Sequence, residues 1–493
     1  MNQLKKISLL LFIGVLTQSL TAFSQGYEIK IKIPTLKDSS LILGHYFAKS
    51  SAFFADDTVK LDKNGTGVFK DKKPLPRGLY IVLLPSKKYF DMAIGNDQVF
   101  SIEADTADLA KKVKFTGSQE NSVMYDYRNF IADKSAVAQK LFERKRSTTD
   151  KAKSDSITKA IDSINKEVMG YVANMKKNNP DLFFIKFIQS IEDIDVPDFP
   201  RDANGKVLDS LFQAKYYRAH YFDNFNIADP DLLRTPLYDQ KITTYIDKVV
   251  PPMPDTLNME IDKLIEKVKG NEELFRYVMG TLYNKYGSSQ IMGHDGVFVH
   301  IAEKWYLPYA TWSDSTFKAN LRKDIAKLKP NLLGNTAPNL MLIQLPTDHF
   351  KVAAMDTALK SNPNVGAYFR TNDIKARFTV LAFWEADCGH CKTAIPELYK
   401  IYNKIKDKGV QVVAMHMISS IEGKRKWIDF VNEHQLYDWI NAWSPTTYEY
   451  KDLYNVYSTP VLYVFDENKK ILAKRLSPDQ IEDVIDFELK KKK

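Results

Sequence analysis

Cys388 and Cys391 are the two cysteines of a 493-residue chain. They stand in the run Phe383-Trp384-Glu385-Ala386-Asp387-Cys388-Gly389-His390-Cys391-Lys392, and no third thiol exists to pair with either. A two-residue spacer lets two cysteines close a small disulfide ring. The apolar run Thr379 to Trp384 reads as a buried strand, and the pattern from Cys391 to Lys406, with Pro396 inside it, reads as a helix. Cys388 then sits at the positive end of that helix, which stabilises a thiolate. Such a thiolate can attack a partner disulfide, and Cys391 can resolve the mixed intermediate. His390, between the two, favours the Cys388 thiolate when its imidazole is charged. Asp387 next to Cys388 raises the thiol pKa. The two effects oppose, so no redox potential follows from the motif.

The elements around this motif alternate β and α. Leu340 to Leu345 is a strand candidate, and Val410 to Met417 and Lys424 to His434 follow as strand and helix. Val461 to Phe465 and Lys470 to Lys474 read as a hairpin, and Pro478 to Lys490 as a closing helix. Such alternation implies a mixed sheet with helices on both faces. Lys327 to Gly334 reads as the linker into this part. Upstream, residues 27 to about 115 read as short strands, with Tyr27 to Ile33 alternating apolar and charged, and suggest a small sandwich. From Ser118, placed as a helix cap, the period becomes helical, with a stripe at Ile157, Ile161, Ile164 and Val168. The charged segment 145–156 reads as a loop between two helices. The expected architecture is a multidomain α+β chain: a small β-sandwich at 25–116, a helical domain at 117–330 and an α/β domain at 331–493.

Trp384, the Cys388-Gly-His-Cys391 run, Pro396 five residues on and the distal Thr459-Pro460 together resemble the thioredoxin superfamily. The entry Gly334-Asn-Thr-Ala-Pro338-Asn-Leu-Met-Leu342 is similar to the envelope branch that includes the TlpA and ResA type of reductases. The resemblance covers about residues 331–493 and implies a thioredoxin fold and thiol–disulfide exchange. Cys388 would be the nucleophile, Cys391 the resolving thiol and His390 the residue that tunes Cys388. Pro460, in cis beside the disulfide, and Thr459 would shape the groove for an extended substrate peptide, flanked by Gly389, with Trp384 packed behind. No dissociable cofactor is implied; electrons would come from an upstream partner dithiol, and clients would be protein thiols and disulfides. One departure stands out. Thioredoxin has a buried Asp six residues before the first Cys, and here that position is Ala382, which leaves Glu385 as the candidate proton acceptor. Residues 27–115 resemble the domain of unknown function DUF4369. Residues 118–330 resemble DUF5106, notably at Tyr216 to Phe222 and Met292 to His300. Neither name carries a mechanism.

Other chemistries fit less well. Covalent haem needs CxxCH, and position 392 is Lys. A structural zinc site needs four ligands, and no second cysteine pair exists. Peroxiredoxins carry a Thr three residues before the reactive Cys, where this chain has Glu385. His294, Asp295 and His300 have loosely metal-like spacing, but Asp295 reads better as a helix N-cap. His416 reads as a core residue, and the aromatic run Tyr216 to Phe225 as helix packing. A second function class is an envelope binding or scaffold protein whose upstream domains recognise a protein or glycan and whose thioredoxin-like domain mainly docks a partner.

Composition bounds the rest. With 44% hydrophobic and 27% charged residues the chain is ordinary globular material. Two cysteines exclude a disulfide-stapled scaffold. The formal charge of +9 draws four lysines from the Lys490–Lys493 tail and two from Lys5 and Lys6, too thin an excess to indicate nucleic acid. Residues 1–24 read as a signal peptide: Lys5 and Lys6, the apolar run Ile7 to Leu16, and Ala22-Phe-Ser24 before Gln25. The apolar run is too short to span a membrane comfortably. The mature chain is therefore expected to be exported to a Gram-negative periplasm, with no stable membrane insertion after cleavage.

Overall fold

The computed structural model describes residues 26–109, 111–356, 358, 365–417, 420–444 and 449–491. The expected leader lies outside them. The chain divides into two compact units, Met1–Val250 with Glu266–Phe275, and Pro251–Ile265 with Arg276–Lys493. The position 330/331 falls inside the second unit.

In the first unit, eight strands form two four-stranded sheets. One is ordered β4 (Thr66–Asp71), β1 (Tyr27–Lys32), β7 (Val99–Ala104), β8 (Val113–Thr116). The other is ordered β3 (Lys49–Lys60), β2 (Ser40–Phe47), β5 (Gly78–Leu83), β6 (Tyr89–Ile94). Alternate residues of each strand turn inward, as the period of two requires: Ile29 and Ile31 from β1, Leu41 and Leu43 from β2, Tyr80 and Val82 from β5 share one core. Phe183, Phe184, Ile185 and Ile188 of the helix Phe183–Ser190 join the same core. The sandwich and the start of the helical region are thus one hydrophobic body.

Two neighbouring side chains make that join. Ser118 caps the helix Gln119–Ser147 as expected, its side chain accepting from the Asn121 N–H. Asn121 then pairs with both main-chain groups of Ala93 in β6, each at 2.8 Å, which covers the edge of that strand. Glu120 is 1% exposed, and its carboxylate accepts the N–H groups of Phe183 at 2.7 Å and Phe184 at 3.0 Å. The helix Phe183–Ser190 has no side-chain cap of its own, so Glu120 supplies one from 63 residues upstream. Burial pushes the Glu120 carboxyl above its usual range despite these two donors. Glu120→Ala would leave both N–H groups buried without a partner, and the expected loss is about 2–4 kcal/mol. Chemical denaturation of the full chain measures it; Glu120→Gln, which keeps one acceptor oxygen, should lose less.

The segment 145–156 is mostly helical. The helix Gln119–Ser147 and the helix Lys151–Asn178 are joined by three residues, and Asp150 caps the second. Lys, Ala and Asp on a solvated surface need no apolar stripe to continue a helix, which is why its absence misleads.

In the second unit a seven-stranded sheet is ordered β10 (Ala367–Arg370), β9 (Met341–Gln344), β13 (Ile440–Trp443), β12 (Val410–His416), β11 (Phe378–Trp384), β14 (Val461–Asp466), β15 (Ile471–Lys474). Strands β11, β12 and β13 are parallel, while β14, β15, β9 and β10 run antiparallel to their neighbours. All seven residues of β11 are buried. Its alternate side chains feed two cores: Val380, Ala382 and Trp384 meet the helices Gly389–Ile405, Ile421–Glu433 and Gln480–Lys491, and Leu381 and Phe383 meet Tyr450 and Tyr454 on the other face. The mixed sheet with helices on both faces, expected from the α/β alternation, is therefore the architecture found.

The segment read as a linker is built into this unit. Asn331 is 1% exposed and donates to the Leu453 carbonyl. Its own carbonyl accepts from the Lys474 ammonium, which also pairs with Asp295. Asp295 is not the helix cap: the helix His294–Ile301 is preceded by Gly293 at φ 88°, a left-handed conformation that glycine adopts without strain. His300 binds Asp262 through Nε2 at 2.8 Å. Among the described residues no group of three or more His, Cys, Asp or Glu is arranged to hold a metal ion. No helix among them is long and apolar enough to cross a membrane.

Candidate active site

The site forms where β11 ends. Trp384 is fully buried, its ring 5.1 Å from Phe430. After it the chain crosses Glu385, Ala386 and Asp387 and enters the helix Gly389–Ile405 with Cys388 as the N-cap. The capping group is the sulfur itself: Cys388 Sγ accepts the Cys391 N–H at 3.4 Å. Both cysteines are free thiols, Cys388 half-buried and Cys391 fully buried.

The second element of the site comes from 71 residues downstream. The Thr459–Pro460 peptide bond is cis, and the Thr459 carbonyl lies 3.2 Å from Cys388 Sγ. The neutral Cys388 thiol donates to that carbonyl. The segment that carries it is tied to the core by buried tyrosines: Tyr450 donates to the Met417 carbonyl at 2.8 Å, and Tyr463 to the Tyr454 carbonyl at 2.7 Å.

The two sulfurs have divergent acidities. Partial burial opposes ionisation of Cys388. Hydrogen bonding with the Cys391 and Thr459 side chains and with the Cys391 and His390 backbone outweighs it, and the thiol sits below its usual value. Burial pushes Cys391 up to about 12, and the neighbouring Cys388 adds to the rise.

The other expected site residues surround this pair. His390 is exposed, and its backbone N–H is one of the groups that lower the Cys388 thiol. The Asp387 carboxylate forms an ion pair with Lys426 at 3.0 Å, which offsets the charge expected to oppose the thiolate. Glu385, half-buried, meets the pair through its backbone: its carbonyl accepts the Cys388 N–H at 3.2 Å. Ala382 is fully buried among apolar neighbours. Gly389 is exposed, and a Cβ there would meet nothing within 4 Å.

Parts of the chain are similar to known proteins. Residues 350–474 match the AhpC/TSA family, residues 147–331 match a domain of unknown function, DUF5106, and residues 27–124 match another, DUF4369. A curated relative, the thiol-disulfide oxidoreductase ResA of Oceanobacillus iheyensis, is 29% identical over 115 residues, which are 22% of this chain and 57% of the relative. The chain thus spans little more than half the length of that relative. Among solved structures, a domain of a possible thiol-disulfide isomerase from Cytophaga hutchinsonii is 32% identical, with 33% of this chain and 96% of the other covered and a TM-score of 0.27. A thioredoxin-like protein from Bacteroides caccae is 19% identical, with 60% of this chain and 99% of the other covered and a TM-score of 0.42.

Proposed function

Starting from a C-terminal thioredoxin-like domain with an AhpC/TSA match at residues 350–474, we propose that the protein is an exported thiol–disulfide oxidoreductase that exchanges disulfides with protein substrates through Cys388 and Cys391. The observation that carries this reading is the placement of the two thiols: Cys388 Sγ caps the helix start, accepting the Cys391 N–H at 3.4 Å, and lies 3.2 Å from the carbonyl of the cis Thr459–Pro460 bond, while Cys391 is fully buried behind it.

The Cys388 thiolate attacks one sulfur of a substrate disulfide. The substrate S–S bond breaks, a mixed disulfide forms, and the other substrate sulfur leaves as a thiolate. Two of the influences that raise Cys391, its hydrogen bond to Cys388 and the negative charge there, vanish once Cys388 is bonded. Cys391 then ionises more readily, attacks Cys388 Sγ and releases the second substrate thiol. The substrate gains two electrons, and the protein is left with a Cys388–Cys391 disulfide. A partner dithiol returns it to the reduced state, so no bound cofactor is needed. Pro460 and Thr459 line the groove for an extended substrate chain, Gly389 keeps it open, and Trp384 backs it. Glu385 remains the candidate acceptor for the Cys391 proton. Export to the periplasm rests on residues 1–24, read as a signal peptide.

Alkylation separates the two thiols. In the native reduced protein at neutral pH, iodoacetamide is expected to label Cys388 and spare Cys391, as peptide mapping would show. An unlabelled Cys388 in the folded protein would overturn the proposed activity.

A further inference from the structure

The parallel pair β11 and β12 ends in register with Trp384 opposite His416. One more main-chain bond follows, from the Met417 N–H to the Trp384 carbonyl at 3.0 Å. There β11 gives way to the loop that carries Cys388. The Ala386 N–H in this loop belongs to a residue only 5% exposed, and it donates to Nε2 of the His416 ring at 3.2 Å. His416 is 1% exposed. Its ring stacks on Trp427 at 5.2 Å and 10°, and meets Trp384 edge-on at 5.2 Å and 85°. Two indoles hold the imidazole in the orientation that points Nε2 at the loop.

A backbone N–H can only donate, so the ring nitrogen that meets it carries no proton, and the proton of the neutral ring sits on Nδ1. We propose that His416 is a positioning residue for the nucleophile: its neutral imidazole extends the β11–β12 ladder by one side-chain rung and fixes the loop 385–388, and with it the place of Cys388 Sγ. The sulfur depends on that placement. It must face the N–H groups of the helix start on one side and the Thr459 carbonyl on the other, and hydrogen bonds weaken steeply when their geometry shifts. An Ala386 N–H buried without an acceptor is costly enough to redraw a loop this short. The inference takes its functional meaning from the thiol-exchange reading above.

The test compares His416→Leu and His416→Gln with the natural protein, each as the full reduced chain. The measurement is the rate of Cys388 alkylation by iodoacetamide as a function of pH. Leucine fills the space and accepts nothing; its profile is expected to move up by about one pH unit, a roughly tenfold loss of thiolate well below the midpoint. Glutamine offers an amide oxygen near the Nε2 position and should recover at least half of that shift. A Leu variant with an unmoved profile, or a Gln variant as impaired as Leu, overturns the inference. If the natural protein itself leaves Cys388 unlabelled, the exchange reading fails instead. Should the Leu variant not fold, long-range ¹H–¹⁵N spectra of the histidine-labelled natural protein decide: an Nδ1–H tautomer at His416 supports the proposal, and an Nε2–H tautomer overturns it.

Discussion

Cys388→Ser should reduce the rate of protein-disulfide reduction by roughly 10³-fold or more, with insulin turbidity or scrambled-ribonuclease refolding as the assay. A serine hydroxyl occupies the same cap position and can still accept the Cys391 N–H, so the fold is expected to survive. The lost property is an ionised sulfur at neutral pH. Cys391 cannot substitute for it, because it is fully buried, and burial, the largest influence that raises its pKa, persists in the variant. The reverse substitution has a different signature. Cys391→Ser keeps the attacking sulfur but removes the group that completes the exchange, so mixed disulfides with clients should accumulate and run as reducible adducts on a gel. Unchanged turnover in Cys388→Ser would contradict the mechanism. Retained turnover in Cys391→Ser without adducts would show that a substrate thiol, rather than Cys391, resolves the intermediate.

Asp295→Ala is expected to destabilise the second unit by about 3–5 kcal/mol, the usual consequence of removing one partner of a buried ion pair. Lys474 is 4% exposed, and without the carboxylate its ammonium would keep the Asn331 carbonyl as acceptor. Burial already holds the Lys474 pKa below its usual 10.5, and Asp295 is what pulls it back up. In the variant the folded-state value falls further. A lysine with a depressed folded-state pKa binds its proton more readily when unfolded, so native stability climbs as pH rises toward the unfolded value. The deficit of Asp295→Ala should therefore narrow toward about pH 10. Denaturation midpoints across that range measure it, and a deficit that widens with pH would show the pair to be wrongly assigned. The double variant Asp295→Leu with Lys474→Met removes both charges and should be more stable than the single one.

Much of the candidate site can be read from local patterns. A buried strand, a Cys-x-x-Cys run at a helix start and a distant Thr-Pro before another strand are properties of short windows, and β11, the Cys388-capped helix and β14 follow them. What local windows cannot carry is the identity of a partner far along the chain. His416 has the neighbours of a core residue, and burial is what its strand implies; that its Nε2 meets the Ala386 N–H depends on the lateral register of β11 and β12. Asp295 has the position of a helix cap, yet its partner lies 179 residues away. Asp387 carries a charge that should oppose the thiolate, and the compensating Lys426 is on the helix Ile421–Glu433, 39 residues away. The parallel pairing of β1 with β7 is equally invisible in either strand alone.

The knot of Asp295, Asn331 and Lys474 bears on how such a protein can change over generations. Two stretches that look like separable parts share a charge that neither can carry alone, since the lysine belongs to β15 and its counter-ion to a helix of the upstream region. A recombination that grafted residues 332–493 behind a foreign neighbour would strand an ammonium at the new seam. Moving residues 332–493 without loss of stability is therefore expected to require a neutral residue at position 474.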